Sequence, residues 1–309
     1  MGFQKQSRLE RIVKIAKISA AAMALSLVST TEIGNSSPEA AQEASAHIWE
    51  LGRAHQLLQD FPMSYEIPGI RHVYKFENPE ANYLLVYFRM GNHVRERMSR
   101  SYRRQVIAVN DDAYRGFSYL QERYGLEDIY REAITDENWL EYCESIDSTE
   151  FTIGLGEIFN EMRRNRDSHM LPSRDVMERF DRQYRKQMTR LAYDAAIRLA
   201  VERDVCVLPA EDAELHAKAG EMLESSWHDA ETYDQAMNSL FRERELHSLR
   251  EGVLLGNPIV VLFYGGMHAR GFENSSLIRS IREHNADPEN RYDQYCAVIL
   301  TPDHYPEEF

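Results

Sequence analysis

The chain alternates short apolar runs with longer amphipathic segments. Apolar runs bounded by turn residues predict buried strands, whereas apolar positions spaced by threes and fours predict helices that pack on one face. In chain order, strands are expected at 70–76, 83–88, 128–131, 205–208, 258–264 and 295–301. Because helical segments separate most of them, the pattern predicts an α/β fold: a mostly parallel central sheet with helices on both faces.

One helical stretch, at about residues 137–203, is long and highly charged. Its second half has an apolar stripe that is typical of core packing. We interpret it as a helical insertion in a single α/β domain at 37–309. A proline near residue 38 opens a further predicted helix that ends at about residue 58, and others are expected at about 97–124, 211–255 (two helices) and 275–284.

The first 36 residues have a different character and are predicted to lie outside the core. Residues 1–17 carry five Lys or Arg against one acid, and the apolar run 18–28 follows. That order is typical of a signal peptide, and the run is shorter than the roughly 20 residues of a membrane-spanning helix. A basic amphipathic helix on a membrane surface, involving residues 1–28, is the alternative. We therefore expect an exported or membrane-associated protein, and a cytoplasmic location stays open.

Composition excludes several classes of function. The formal net charge of -14 argues against a nucleic-acid partner, because phosphate binding needs clustered Lys and Arg. The three cysteines, Cys143, Cys206 and Cys296, have no metal-ligand spacing and are expected to be inert thiols. The chain contains neither a Gly-x-Ser-x-Gly elbow nor a P-loop motif, which argues against elbow-type serine esterases and P-loop nucleotide chemistry.

Titratable residues follow four of the predicted strands. After the second, third, fourth and fifth strands come His93, Glu132, Glu211 and His268. Ligands of open α/β sheets bind at the carboxyl ends of the strands, and imidazole with carboxylate can bind a divalent metal or perform general acid/base catalysis. Simpler roles are a helix cap for His268, an exposed loop acid for Glu132 and an acid at a helix N-terminus for Glu211.

The order of these motifs resembles a known superfamily. The matching segments are Gly91-Asn-His93, Gly125 to Glu132, Leu208-Pro-Ala-Glu211, Arg244-Glu245 and Gly265-Gly-Met-His268. They are similar to the superfamily that unites TraB pheromone-shutdown proteins, Tiki proteases, ChaN haem-binding lipoproteins and erythromycin esterases. Its Tiki-like and TraB-like members use two Gly-x-x-His motifs with acids and an arginine. The second motif matches, whereas Met90 replaces the first glycine and Ala133 replaces a glycine after the acid.

The resemblance implies hydrolysis of an amide or ester in a small-molecule or peptide substrate. In one mechanism His93, Glu132 and His268 hold a divalent Mn, Co or Zn ion whose water attacks, while Arg244 stabilises the oxyanion. In a metal-independent mechanism, a histidine held by a carboxylate acts as general base, with Glu211 as a further site residue. ChaN-like relatives imply haem binding without hydrolysis as an alternative, and a degenerate regulatory member is another.

Overall fold

The computed structural model describes residues 53–91, 99–164, 172–225 and 230–306, with backbone alone at 223–225 and 230–234. Within them the strands are β1 (Ile70–Phe76), β2 (Tyr83–Met90), β3 (Asp128–Thr135), β4 (Cys206–Glu211), β5 (Ile259–Gly265) and β6 (Tyr295–Pro302). The helices are α1 (Arg53–Gln59), α2 (Arg100–Tyr124), α3 (Trp139–Arg164), α4 (Arg174–Tyr193), α5 (Ala195–Arg203), α6 (Ala213–Ser225), α7 (Ala230–Val253) and α8 (Ser276–Ala286).

The six strands form one sheet in the order β1-β6-β2-β5-β3-β4. β1 pairs antiparallel with β6, and the other neighbours pair in parallel. The predicted α/β fold with a mostly parallel sheet is therefore confirmed. Because β2, β5, β3 and β4 are consecutive and parallel, their carboxyl ends lie along one edge of the sheet.

The apolar run in β5 is explained by burial on both faces of the sheet. Val261 and Phe263 face one core, which also contains side chains of α1, α2, α3 and α5. Leu262 and Tyr264 face the other core, together with side chains of α7 and α8. A strand covered on both faces carries a continuous apolar run instead of an alternating one, which is the pattern that predicted this strand.

β3 and β4 extend three or more residues beyond their predicted ends. β3 continues to Thr135 and β4 to Glu211, so Glu132 lies within a strand instead of after one. The strand pairing shifts register between Arg131 and Thr135, where Ala133 adopts a positive φ of 67°. The predicted ends are too early because they follow apolar residues. The last residues of both strands include charged side chains that belong to the candidate site, Glu132 in β3 and Glu211 in β4.

Helix boundaries follow local signals. α2 begins at Arg100, where Ser99 Oγ accepts a hydrogen bond from the Tyr102 amide, and ends at Gly125 with a φ of 68°.

The predicted charged insertion holds α3, α4 and α5. The predicted signal-like segment, including the run 18–28, lies outside the described residues, as does most of the helix expected to end at residue 58. In the described ranges no helix combines the length and apolarity needed to cross a membrane.

Candidate active site

Four of the five predicted site residues meet at the carboxyl edge of the sheet. Glu132 comes from β3, Glu211 from β4, Arg244 from α7 and His268 from the turn after β5. The fifth, His93, lies outside the described residues. We call the following group the edge cluster: Glu132, Glu211, Arg244, Glu245, Tyr264 and His268.

Arg244 joins the two predicted carboxylates. Its Nε donates to Glu211 Oε1 at 2.8 Å, its Nη2 donates to Glu132 Oε1 at 3.0 Å, and Nη2 also contacts Glu211 Oε1. Burial lowers the pKa of the guanidinium, but Tyr264, Glu211 and Glu132 outweigh it, so the pKa of Arg244 is raised. The cation is thus permanently charged, and its Nη1 makes no hydrogen bond to any described residue.

Glu211 is a fully buried carboxylate with a partner on each oxygen. Tyr264 donates its hydroxyl to Oε1 at 2.7 Å, while the Ala133 amide donates to Oε2 at 3.1 Å and His216 Nδ1 lies 2.8 Å from the same oxygen. Burial raises the pKa of Glu211, but the His216 hydrogen bond and the Arg244 charge outweigh it, so the pKa lies below its usual 4.5. Glu211 therefore stays ionised despite burial.

Glu132 has both oxygens engaged as well. Oε1 accepts from Arg244, and Oε2 accepts from the backbone amide of Gly265 at the end of β5. A β-carbon on Gly265 would lie 2.9 Å from Glu132 Oε2, so this close approach needs glycine. The carboxylate thereby connects β3 to β5 across the edge of the sheet.

His268 is 2% exposed and is held by Glu245 of α7. His268 Nδ1 lies 2.7 Å from Glu245 Oε1, and Glu245 Oε2 accepts from Ser276 Oγ at 2.8 Å and Ser280 Oγ at 2.6 Å. An ionised carboxylate only accepts hydrogen bonds, so the proton of a neutral His268 lies on Nδ1. The lone pair of Nε2 then has no hydrogen-bond partner among the described residues, and Glu132 Oε1 lies 3.9 Å away.

The simpler roles of Glu211 and His268 belong to their neighbours, and that of Glu132 does not fit its burial. Asp212, not Glu211, caps α6 by accepting from the Glu214 amide at 2.9 Å. Ser275, not His268, caps α8 through the Ile278 amide. The Glu132 side chain is only 12% exposed, so it is not an exposed loop acid.

The sequence indicates no site role for Tyr264, Ser276, Ser280 or His216, and it includes Glu245 only beside Arg244 in a segment that matches the superfamily. Glu245 directly follows Arg244, and neighbouring residues on a helix project in different directions, so the pair gave no spacing signal. Ser276 and Ser280 are four residues apart, which places both on one face of α8. That spacing was a usable signal, although nothing local indicated their shared partner.

The described donors do not fit the predicted metal centre. Both oxygens of Glu132 already accept hydrogen bonds, one from a guanidinium that would repel a cation at the same oxygen. In the described residues no group of three or more His, Cys, Asp or Glu is arranged to hold a metal ion. The ligand role of His93 stays a prediction because that residue lies outside them.

The fold and the edge cluster define an α/β protein with a buried histidine and a network of charged residues at the carboxyl edge of its sheet. No family model, curated protein or solved structure matches this chain. Folds of this architecture host many unrelated activities, so function has to be argued from the side chains of the cluster.

Proposed function

We propose that the chain is a metal-independent hydrolase of the TraB/Tiki/erythromycin-esterase-like type, which acts on an ester or amide. One observation carries the proposal: His268 Nε2 and Arg244 Nη1 both lack a partner among the described residues, and both groups lie beside Glu132. The cluster thus combines an uncommitted base with an uncommitted cationic donor, which are the two groups that hydrolysis by water requires.

His268 is proposed as the general base. Its Nε2 takes a proton from water as the water oxygen bonds to the carbonyl carbon of the substrate, and it later returns that proton to the leaving oxygen or nitrogen. Glu245 orients the ring through Nδ1 and stabilises the imidazolium that forms between these steps. Glu132, 3.9 Å from Nε2, adds a second negative charge near that imidazolium.

Arg244 is proposed to stabilise the oxyanion through Nη1. Its other nitrogens are fixed by Glu132 and Glu211, and a donor that is already oriented needs no reorganisation when negative charge develops. Glu211 serves in this proposal as a positioning residue, because its oxygens contact Arg244, Tyr264, Ala133 and His216.

The test is turnover of a panel of para-nitrophenyl esters and peptides by the full chain. We expect turnover that falls at least about 100-fold in Glu132→Gln, which removes the charge beside His268 and loosens Arg244. Glu202→Gln is the matched control, because Glu202 pairs with Arg198 on an exposed surface at 3.2 Å. Turnover that is unaffected by Glu132→Gln contradicts the proposal.

Metal analysis separates the two hydrolytic mechanisms. We expect activity to survive chelation and the purified chain to carry less than stoichiometric metal. About one transition metal ion per chain, lost in His268→Asn together with activity, would instead support the predicted His93, Glu132 and His268 centre. The haem alternative stays a prediction, and a Soret band on titration with haemin would support it over hydrolysis.

A further inference from the structure

Arg89, near the end of β2, is an arginine without an acidic partner in the described part of the chain. Its Nη1 donates to Thr301 Oγ1 at 3.4 Å, and the guanidinium also hydrogen-bonds the Tyr305 hydroxyl, whereas its Nε is buried with no partner among the described residues. Two aromatic rings flank the guanidinium: that of Tyr305 at 4.3 Å and that of Phe272 at 5.4 Å. The rings hold the planar group in place, and no carboxylate among the described residues accepts a hydrogen bond from it.

Arg89 lies on the same face of the sheet as the edge cluster. Its Cα pairs with that of Tyr264 on β5, and residues paired across parallel strands project to the same face. The Tyr264 ring is 4.8 Å from the His268 ring. Tyr305, which stacks on Arg89, also covers the turn before His268, since a β-carbon on Gly266 would collide with its hydroxyl.

A second arginine lies close to the same tyrosine. Burial raises the pKa of Tyr305, and the charge and hydrogen bond of Arg89, with a smaller contribution from the charge of Arg270, partly offset that rise. Arg270 is exposed, two residues after His268, and no ion pair of it occurs among the described residues. In a chain with 36 Lys and Arg against 50 acids, two arginines beside the proposed active site that have no carboxylate partner among the described residues stand out.

We infer that Arg89, assisted by Arg270, binds an anionic oxygen group of the substrate, either a carboxylate or a phosphate. A guanidinium offers five N–H donors in a planar fork that matches two oxygens of such a group. The inference rests on the proposed function and sharpens it: the substrate is an anionic ester or amide whose charged group lies on Arg89 while its carbonyl lies on Arg244 and His268.

A pair of substrates of equal length tests the inference by kinetics. The monoester of succinate with para-nitrophenol carries a carboxylate that para-nitrophenyl butyrate lacks. We expect kcat/KM to favour the succinate ester and this preference to fall about tenfold in Arg89→Met, since a hydrogen bond to a charged group contributes roughly that factor. A preference unchanged in Arg89→Met overturns the inference while leaving the proposed hydrolysis intact.

Arg282→Met is the matched control for these kinetics. Arg282 also lies over an aromatic ring, that of Phe76 at 5.5 Å, but it has a carboxylate partner in Glu273 at 2.9 Å. The preference for the succinate ester is expected to persist in this variant. Arg89→Lys separates charge from geometry: it keeps the cation but loses the fork, so an intermediate preference is expected.

Anion binding without turnover provides a second, independent test. In the full chain labelled at arginine Nε, titration with sodium acetate and with sodium phosphate should shift one Nε–H signal, and that signal should be absent from Arg89→Met. The larger shift identifies the preferred oxyanion. A shifted signal in a chain with no hydrolytic activity would sink the proposed function but support anion binding. An unshifted Arg89 signal with both anions overturns the inference.

Discussion

Two histidines in this chain are equally buried but differ in their hydrogen bonds. His268 and His284 are each 2% exposed. His284, in α8, lies 2.9 Å through Nε2 from the Asp293 carbonyl and 3.2 Å through Nδ1 from Asn290 Nδ2, so both ring nitrogens are used. His268 uses Nδ1 on Glu245 and leaves Nε2 without a partner in the described ranges.

Burial therefore does not distinguish a structural histidine from a candidate catalytic one, whereas unused hydrogen-bonding capacity does. A neutral imidazole with one donor and one acceptor nitrogen, both satisfied, has nothing left to offer a substrate. The same contrast separates two arginines near β3. Arg131 pairs with Asp194 at 2.7 Å on a partly exposed surface, whereas Arg244 joins two buried carboxylates, and its Nη1 has no partner among the described residues.

The largest difference in activity is expected between variants in which His268 or His284 is replaced by asparagine. We expect His268→Asn to lower kcat on the best ester of the panel by about 1000-fold, because it removes a general base. His284→Asn should retain turnover while lowering the free energy of unfolding in urea by about 1–3 kcal/mol, because buried groups lose their partners. Equal loss of activity in both variants would break the comparison.

Replacing Arg244 and replacing Arg131 should lower the free energy of unfolding by different amounts. Arg244→Met leaves two buried carboxylates without their cation, and we expect the free energy of unfolding to fall by about 3–5 kcal/mol. Arg131→Met should cost less, since the side chains of Arg131 and Asp194 are 24% and 14% exposed and water screens the pair. Urea denaturation of both variants measures the difference, and a smaller cost for Arg244→Met contradicts the arrangement described.

The pH dependence of the free energy of unfolding should reveal the contribution of His284, the structural histidine. Burial lowers the pKa of His284 below its usual 6.5, since the folded chain disfavours the charged ring. Below pH 6.5 the unfolded state then binds more protons, so stability is full above that pH and falls as pH drops towards the folded pKa. Urea titrations at several pH values should show this loss, and His284→Asn should reduce it. If the free energy of unfolding of the variant depends on pH as strongly as before, other groups such as His247 cause the loss.

The smallest effect concerns strain beside the edge cluster. Ala133 has a φ of 67°, a conformation that favours glycine, and its amide donates to Glu211. Ala133→Gly relieves a strain of about 1–2 kcal/mol but adds unfolded-state entropy, so we expect a net gain of roughly 0.5 kcal/mol. A lower thermal midpoint in Ala133→Gly would show that the backbone is not strained there.

The sequence predicted the strands well where both cores bury them. The start of β5 and the continuous burial along it follow from a continuous apolar run, a signal that depends only on neighbouring residues. It also brought Glu132, Glu211 and His268 to one edge, because parallel strands place their carboxyl ends together. The ends of β3 and β4 were missed because charged residues there are held by partners far along the chain.

The local pattern by itself thus determined the fold class and the edge where Glu132, Glu211 and His268 meet, whereas Arg244 was expected there only from the resemblance. Only the tertiary structure decided which of the two buried histidines has a ring nitrogen without a partner in the part of the chain that is described. His268 and Glu245 are 23 residues apart, and Arg244 and Glu132 are 112 apart. Periodicity carries no information over such separations, since these contacts depend on how α7 and α8 pack on the sheet. That Arg89 has no carboxylate partner in the described ranges likewise became visible only when the residues around it were known.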